Sequence, residues 1–221
     1  MAVTRQSEKQ PEKAKSGYRF PRTRDEWIAE GIAWLKSIVI VLAIFLPLNT
    51  FVVQGFRIPS ASMEDTLLIG DFLFADKLTF GPRVPFASHL RLPGLREPQP
   101  GDVVIFKSPE TGENLIKRCV AVGGQRVELR RKQLIVDGVE VKEPFTKHIR
   151  RSYDPRIDDF GPFVVPPGHL FFMGDNRDAS QDSRFFGAVP MENVVAKADV
   201  LYFSFDVTKR FPRFMRIGKL L

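Results

Sequence analysis

The 221 residues include 33 Lys and Arg against 26 Asp and Glu, a formal net charge of +7, and a single Cys. That length holds one good-sized domain plus an anchor. One cysteine excludes an intramolecular disulfide and a Cys-based zinc centre. The basic balance suits an anionic membrane surface or nucleic acid. Phe numbers 20 against 3 Tyr, so many rings must fill a core or meet lipid.

Residues 1–22 are polar and charged without apolar periodicity, the pattern of a disordered tail. Thr23 followed by Glu26 forms a capping-box pattern and predicts a helix start. Residues 37–53 read SIVIVLAIFLPLNTFVV, with no formal charge. The run falls slightly short of the ~20 residues that a span needs, and its neighbours can extend it. A membrane-anchor helix over 23–56 is therefore expected, with its apolar span at 37–53 and a kink at Pro47. The alternatives are a buried core helix and a cleaved signal peptide. The leading region is long for a signal peptide, and no clean A-x-A site comes after the run. Residues 1–36 carry eight Lys/Arg and five Asp/Glu. The positive-inside rule places this tail in the cytoplasm and the residues beyond the anchor outside it. The 25 Lys/Arg past the anchor weigh less, because long domains translocate largely regardless of charge.

After the anchor the pattern turns to β. The segments FLFADKL, DVVIFK, NLIKRCVAV, QRVELR, QLIV, VEVK, HLFFM and VVAKADVLYFSF are short and rich in β-branched or aromatic residues. Asp137-Gly138 between two of them is a hairpin signal. Residues 80–98 read as an irregular, apolar-tinged insertion, most simply a surface loop. No repeat and no second helical domain is visible. The expected fold is mainly β, built of antiparallel sheets, with one N-terminal transmembrane helix.

Three stretches can carry chemistry. FRIPSASMEDTL places Ser60 and Ser62 around a small Ala just after the apolar run, where a turn or helix start would serve as well. In NLIKRCVAV, strand alternation puts Leu115, Lys117, Cys119 and Ala121 on one face. Burying a lysine there disfavours its charged form and lowers its pKa; the alternative is an edge lysine that reaches water. The third stretch, residues 174–189, packs Asp175, Arg177, Asp178, Asp182 and Arg184 with Asn176, Ser180 and Ser183 into a polar loop. Its spacing does not fit an EF-hand. There is no G-x-S-x-G, no S-x-x-K at Ser60 or Ser62, no H-E-x-x-H and no phosphate-cradling Gly loop. His89, His148 and His169 sit in no dense polar motif. No metal and no cofactor is expected.

IPSASMEDTL, GDFLFADKL, GDVVIFKSP, LIKRCVAVGGQRV and GDNRDASQDSR, in this order after an N-terminal anchor, closely resemble the bacterial type I signal peptidase (leader peptidase) family over residues 57–206. Five such motifs in order are far more specific than any one alone. The resemblance implies a membrane-bound serine endopeptidase, with residues 57–221 as its extracytoplasmic catalytic β domain on the cytoplasmic (inner) membrane. Its partners would be signal peptides of exported preproteins and the lipid bilayer, not nucleic acid. Ser62 matches the nucleophile and Lys117 the general base. Ser180 matches the hydroxyl that orients the lysine, and Ser60 the hydroxyl that joins the Ser62 N–H in the oxyanion hole. Arg118, Asp175, Asp182 and Arg184 match the bracing ion pairs. Phe56, Ile58, Met63, Leu115 and Ile116 fall where the family lines its pockets for small residues. The chain departs in offering one apolar span where well-studied members carry two. A peptidase of the same fold dedicated to one substrate, and a non-catalytic tethered binding domain, are the other readings.

Overall fold

The computed structural model describes residues 23–84 and 87–221; the expected tail at 1–22 lies outside them. Contacts divide the chain into two units between Ile44 and Phe45. The first described element is α1, Arg24–Pro47. Its start is fixed by reciprocal bonds: Thr23 N–H donates to Glu26 Oε2 and Glu26 N–H to Thr23 Oγ1, each 3.3 Å. Two donors that a helix N-terminus leaves orphaned are thereby satisfied. None of the helix's residues is buried, Trp27, Trp34 and the Ile, Leu and Val run included. With the π-helical turn Leu48–Val52 it forms a 29-residue helical segment, about 40 Å long at about 1.5 Å per residue. That segment is long and apolar enough to cross a membrane.

The expected helix over 23–56 runs too far. Val53 adopts extended backbone, φ −138° and ψ 143°, and Val53–Arg57 pairs with Asp71–Asp76 from Val53↔Asp76 to Arg57↔Phe72. The β-branched Val53 and Gly55 favour this ladder over further helix. Pro47 sits at the last α position, and the wider π turn comes directly after it.

The strands, in chain order, are β1 (Val53–Arg57), β2 (Asp71–Asp76), β3 (Arg83–Val84), β4 (Ala87–Arg91), β5 (Val103–Lys107), β6 (Asn114–Val122) and β7 (Arg126–Arg130). They continue with β8 (Gln133–Val136), β9 (Val139–Glu140), β10 (Phe160–Val164), β11 (His169–Met173), β12 (Val189–Pro190), β13 (Val194–Asp206) and β14 (Phe211–Pro212). The main sheet runs β1-β2-β13-β5-β6-β11-β12, with β14 paired to β13; a second sheet runs β10-β7-β8-β9. All these pairs are antiparallel, as expected. Asp137 and Gly138 take φ of 53° and 82°, the left-handed pair that a tight β8–β9 hairpin needs.

Phenylalanine fills much of the core. Phe106 and Phe172 stack at 4.2 Å between β5 and β11, and Phe171 packs with Phe160 and Phe163 beneath the second sheet. The 80–98 stretch is not a plain loop. β3 and β4 pair within it, Phe80 is buried, and Arg91 donates to the carbonyls of Phe80 and Val194. A Cβ on Gly94 would lie 2.6 Å from Gly81 N, so that close approach of backbones requires a glycine.

Candidate active site

Lys117 lies on β6, opposite Val104 of β5. Strict alternation does not hold along that strand. The β6–β11 register shifts between Phe171 and Phe172, so Cys119 joins the core cluster with Phe106 and Phe172, while Ala121 joins the one with Phe171. Burial pushes the Cys119 thiol up to about 12, which keeps it an unreactive packing group.

Ser62 lies in the turn after β1. Two bonds tie that turn to the loop after β11. Asn176 N–H donates to Ser62 O at 3.1 Å, and Asn176 Nδ2 donates to Ala61 O at 3.1 Å. Gly174 permits the close approach, since a Cβ there would meet Ser62 O at 2.5 Å and Ser180 Oγ at 2.2 Å. The result joins residues 55 positions apart: Lys117 Nζ donates to Ser62 Oγ at 2.5 Å. Lys117 is 4% exposed and Ser62 7%. Burial pulls the Lys117 pKa from 10.5 down to about 8; the charges of Asp182 and Asp175 pull it back up, and Arg184 pushes it down. Among the described residues no carboxylate touches the amine, so desolvation wins.

Ser60 Oγ stands 3.4 Å from Ser62 Oγ. Among the described residues the Ser62 N–H has no hydrogen-bond partner. That N–H, with the Ser60 hydroxyl beside it, can meet an oxyanion. Ser180 is at the site, its Cβ and Oγ beside Gly174. Its buried hydroxyl makes no hydrogen bond among the described residues, so the expected bond to Lys117 is not formed here. The amine is turned to Ser62 instead.

The four expected bracing residues come together as two pairs. Arg118 grips Asp175 through Nε at 2.9 Å and Nη2 at 2.7 Å, and also donates to Gly101 O. Arg184 grips Asp182 through Nε at 2.8 Å and Nη2 at 2.9 Å, while Gly174 N–H donates to the same carboxylate at 3.0 Å. Both carboxylates are fully buried, and such bidentate pairs hold geometry as well as charge. Of the expected pocket residues, Phe56, Leu115 and Ile116 are half-buried. Ile58 and Met63 are fully packed in the core, so they form a floor beneath a surface, not the surface itself.

Several contacts of the site escaped the sequence. Those of Asn176 and Thr66 are two, the latter donating its hydroxyl to Asp175 Oδ2 at 2.6 Å. Arg177 pairs with Glu143 at 2.5 Å, and Phe145 lies 3.7 Å under the Arg118 guanidinium. Asn176 and Arg177 stood in the polar block, but their partners lie far away in the chain. Among the described residues no group of three or more His, Cys, Asp or Glu is placed to hold a metal ion.

A hydroxyl bonded to an amine that burial keeps easy to deprotonate is equipped for acyl transfer without histidine; the antiparallel β scaffold carrying that pair is of the Ser–Lys hydrolase class. The chain belongs to the signal peptidase family, peptidase S26, whose model matches residues 31–203. It is 36% identical to signal peptidase I of Pseudomonas aeruginosa, over 83% of this chain and 77% of that one. It is 32% identical to signal peptidase I of Aquifex aeolicus, over 80% and 86%. A crystal structure of a signal peptidase I from Enterococcus faecalis is 30% identical and covers 47% of this chain and 98% of its own, with a TM-score of 0.41.

Proposed function

We propose that this chain is a membrane-bound serine endopeptidase that removes N-terminal signal peptides from exported preproteins, cutting after small residues in an A-x-A-like pattern. Ser62 is the nucleophile and Lys117 the general base. The observation that supports this most is the 2.5 Å bond between a buried amine of lowered pKa and a hydroxyl.

The steps derive from that geometry. Neutral Lys117 takes the Ser62 proton as Oγ attacks the carbonyl of the scissile peptide. The Ser60 hydroxyl and the Ser62 N–H receive the developing oxyanion, each donor contributing roughly 2.7–4 kcal/mol. Lys117 passes its proton to the departing amine, the C–N bond breaks, and an ester to Ser62 remains. Water, deprotonated by the same amine, releases the signal peptide as an acid. Ser180, with an unused hydroxyl beside Gly174, accepts a bond from Lys117 when Ser62 is acylated. Arg118–Asp175 and Arg184–Asp182 keep the two sides of the pair in register. Phe56, Leu115 and Ile116 line shallow pockets over Ile58 and Met63 and select small residues by excluding bulk.

Residues 23–52 anchor the chain in the cytoplasmic membrane, with the tail at 1–22 in the cytoplasm and residues 57–221 as the extracytoplasmic catalytic domain. The lipid bilayer and the preprotein are the partners; nucleic acid is not one. Cleavage of a reporter precursor by wild type, Ser62→Ala and Lys117→Ala at matched expression tests the assignment. Both variants should lose at least about 10⁴-fold in rate; near-wild-type cleavage by either refutes it. Cleavage across a panel of secretory precursors distinguishes a general peptidase from one dedicated to a single substrate.

A further inference from the structure

The family match ends at residue 203, yet residues 204–221 are built into the sheet. After β14 a short 3₁₀ turn, Phe214–Arg216, returns the chain to β13. There Leu221 N–H donates to Asp199 O at 3.0 Å, and Leu221 packs on the core cluster that contains Ile58 and Met63. Arg216 uses this tail to reach the back of the Ser62 turn. Its Nη2 donates to Thr66 O at 2.9 Å and to Asp71 Oδ2 at 2.6 Å, and its Nε lies 3.2 Å from both Asp71 oxygens.

Asp71 is fully buried at the end of the same turn and also accepts from Ser204 Oγ at 2.6 Å and Leu68 N–H at 2.8 Å. Burial alone would raise its pKa, but the bonds from Arg216, Ser204 and Leu68 hold it below the usual carboxylate range. The turn is thus held from two sides, by the loop after β11 through Asn176 at Ser62 O and Ala61 O and by the tail through Arg216 at Thr66 O. Thr66 links the second point to the base, because its hydroxyl donates to Asp175, the carboxylate that grips Arg118 next to Lys117.

We propose that Arg216 is a positioning residue for the Ser62–Lys117 pair, clamping the turn through Thr66 O and Asp71 so that one chain of contacts fixes the hydroxyl on one side and the Asp175–Arg118 frame on the other. This rests on the reading of Ser62 and Lys117 given under the proposed function. Loosening the clamp lets both sides shift and lets water reach the amine. A mismatch of about 1 Å between reacting groups costs about 100-fold, so the effect falls on kcat and not on substrate binding.

The test uses the full chain in detergent micelles and a peptide carrying an A-x-A cleavage site, with active enzyme counted from the burst of the first turnover. Arg216→Lys keeps the charge against Asp71 but loses the fork that also reaches Thr66 O; Arg216→Gln loses the charge as well. Both should lower kcat per active site about 10- to 100-fold with KM within about twofold. The pH at which kcat/KM half-rises should move from about 8 toward higher pH. The exposed Arg156→Gln should change neither. Wild-type kcat and an unmoved pH profile in a folded Arg216→Lys overturn the proposal. So does failure of both variants to fold, which would make the tail a folding element only. If wild type is inactive, or Ser62→Ala is active, the dyad reading itself fails, an outcome distinct from the other two.

Discussion

Two lysines in this domain sit among buried carboxylates, and their fates differ. Lys132, in the β7–β8 turn, faces Asp158 at 3.8 Å and Asp178 at 3.6 Å and donates to Arg150 O at 2.8 Å. Lys117 is more deeply buried, and its carboxylates are committed elsewhere: Asp175 to Arg118 and Asp182 to Arg184. Its one hydrogen-bond partner among the described residues is the Ser62 hydroxyl. A lysine with carboxylates in reach serves as a cation, whereas one deprived of them gives up its proton more readily. By occupying these acids the arginines leave the Lys117 amine without a carboxylate partner among the described residues.

Replacing each lysine by arginine separates the two most sharply. Arginine stays charged at any usable pH and cannot take a proton. Lys117→Arg should lose activity as fully as Lys117→Ala, by at least about 10⁴-fold. Lys132→Arg keeps its partners and should stay within about twofold of wild type. Reporter cleavage by both variants, with melting curves to confirm folding, checks this.

Stability comes next in size. The Lys117 pKa is about 8 in the folded chain against an ordinary value of 10.5. Between those values the unfolded chain binds more protons, so stability rises with pH across the window. Below pH 8 the full cost of burying the charged amine applies, about 3 kcal/mol. Lys117→Met should therefore be more stable than wild type at pH 7 by that order, and the gap should close between pH 8 and 10.5. Lys132→Met should instead be less stable at pH 7, since it leaves Asp158 and Asp178 short of a cation. Urea melts at pH 7, 9 and 10 decide; a Lys117→Met advantage that grows with pH contradicts the assignment.

With Lys117 as the proposed base, the same titration should govern the rate. With a pKa near 8, the neutral fraction of Lys117 rises about fiftyfold between pH 6 and 8. The wild-type kcat/KM should track it and level off above about pH 9. A maximum in acid would exclude the lysine as base.

What the sequence made legible was local. The capping box at Thr23 and Glu26 and the Asp137-Gly138 turn rest on neighbours within a few residues, and both recur in the fold; the alternation expected along β6 does not, because the β6–β11 register shifts there. Residues 53–56 did not declare themselves, because so short a stretch has no period that separates helix from strand. β1 forms only because β2 supplies its ladder. The β3–β4 pair likewise depends on contacts that tie it to Val194. The clamps on the Ser62 turn were invisible for the same reason. Thr66–Asp175 and Arg216–Asp71 span 109 and 145 positions, and no pattern along the chain records such a pairing.

The smallest expected effect separates two aspartates that look alike in GDNRDASQDSR. Asp178 is not a free surface acid: its carboxylate accepts from Arg150 N–H at 2.7 Å and the Arg150 guanidinium at 3.2 Å. Burial works against its charge, but Arg150 and Lys132 hold its pKa below the usual range. Asp178→Ala should therefore cost about 1–3 kcal/mol of stability while kcat stays within about twofold, since that cluster touches neither Ser62 nor Lys117. Asp182 holds Gly174 N–H and caps the short helix Ser183–Phe186 by accepting from Arg184 N–H. Its charge also raises the Lys117 pKa, while that of Arg184 lowers it. Asp182→Ala leaves Arg184 unopposed, so kcat should fall about tenfold or more as Gly174 and Ser180 shift, and the pH limb should move below 8. Asp182→Asn retains the bond from Gly174 and should recover part of kcat while keeping the acid shift. Equal, mild losses from Asp178→Ala and Asp182→Ala, with no movement of the pH limb, would remove Asp182 from the frame that holds the base.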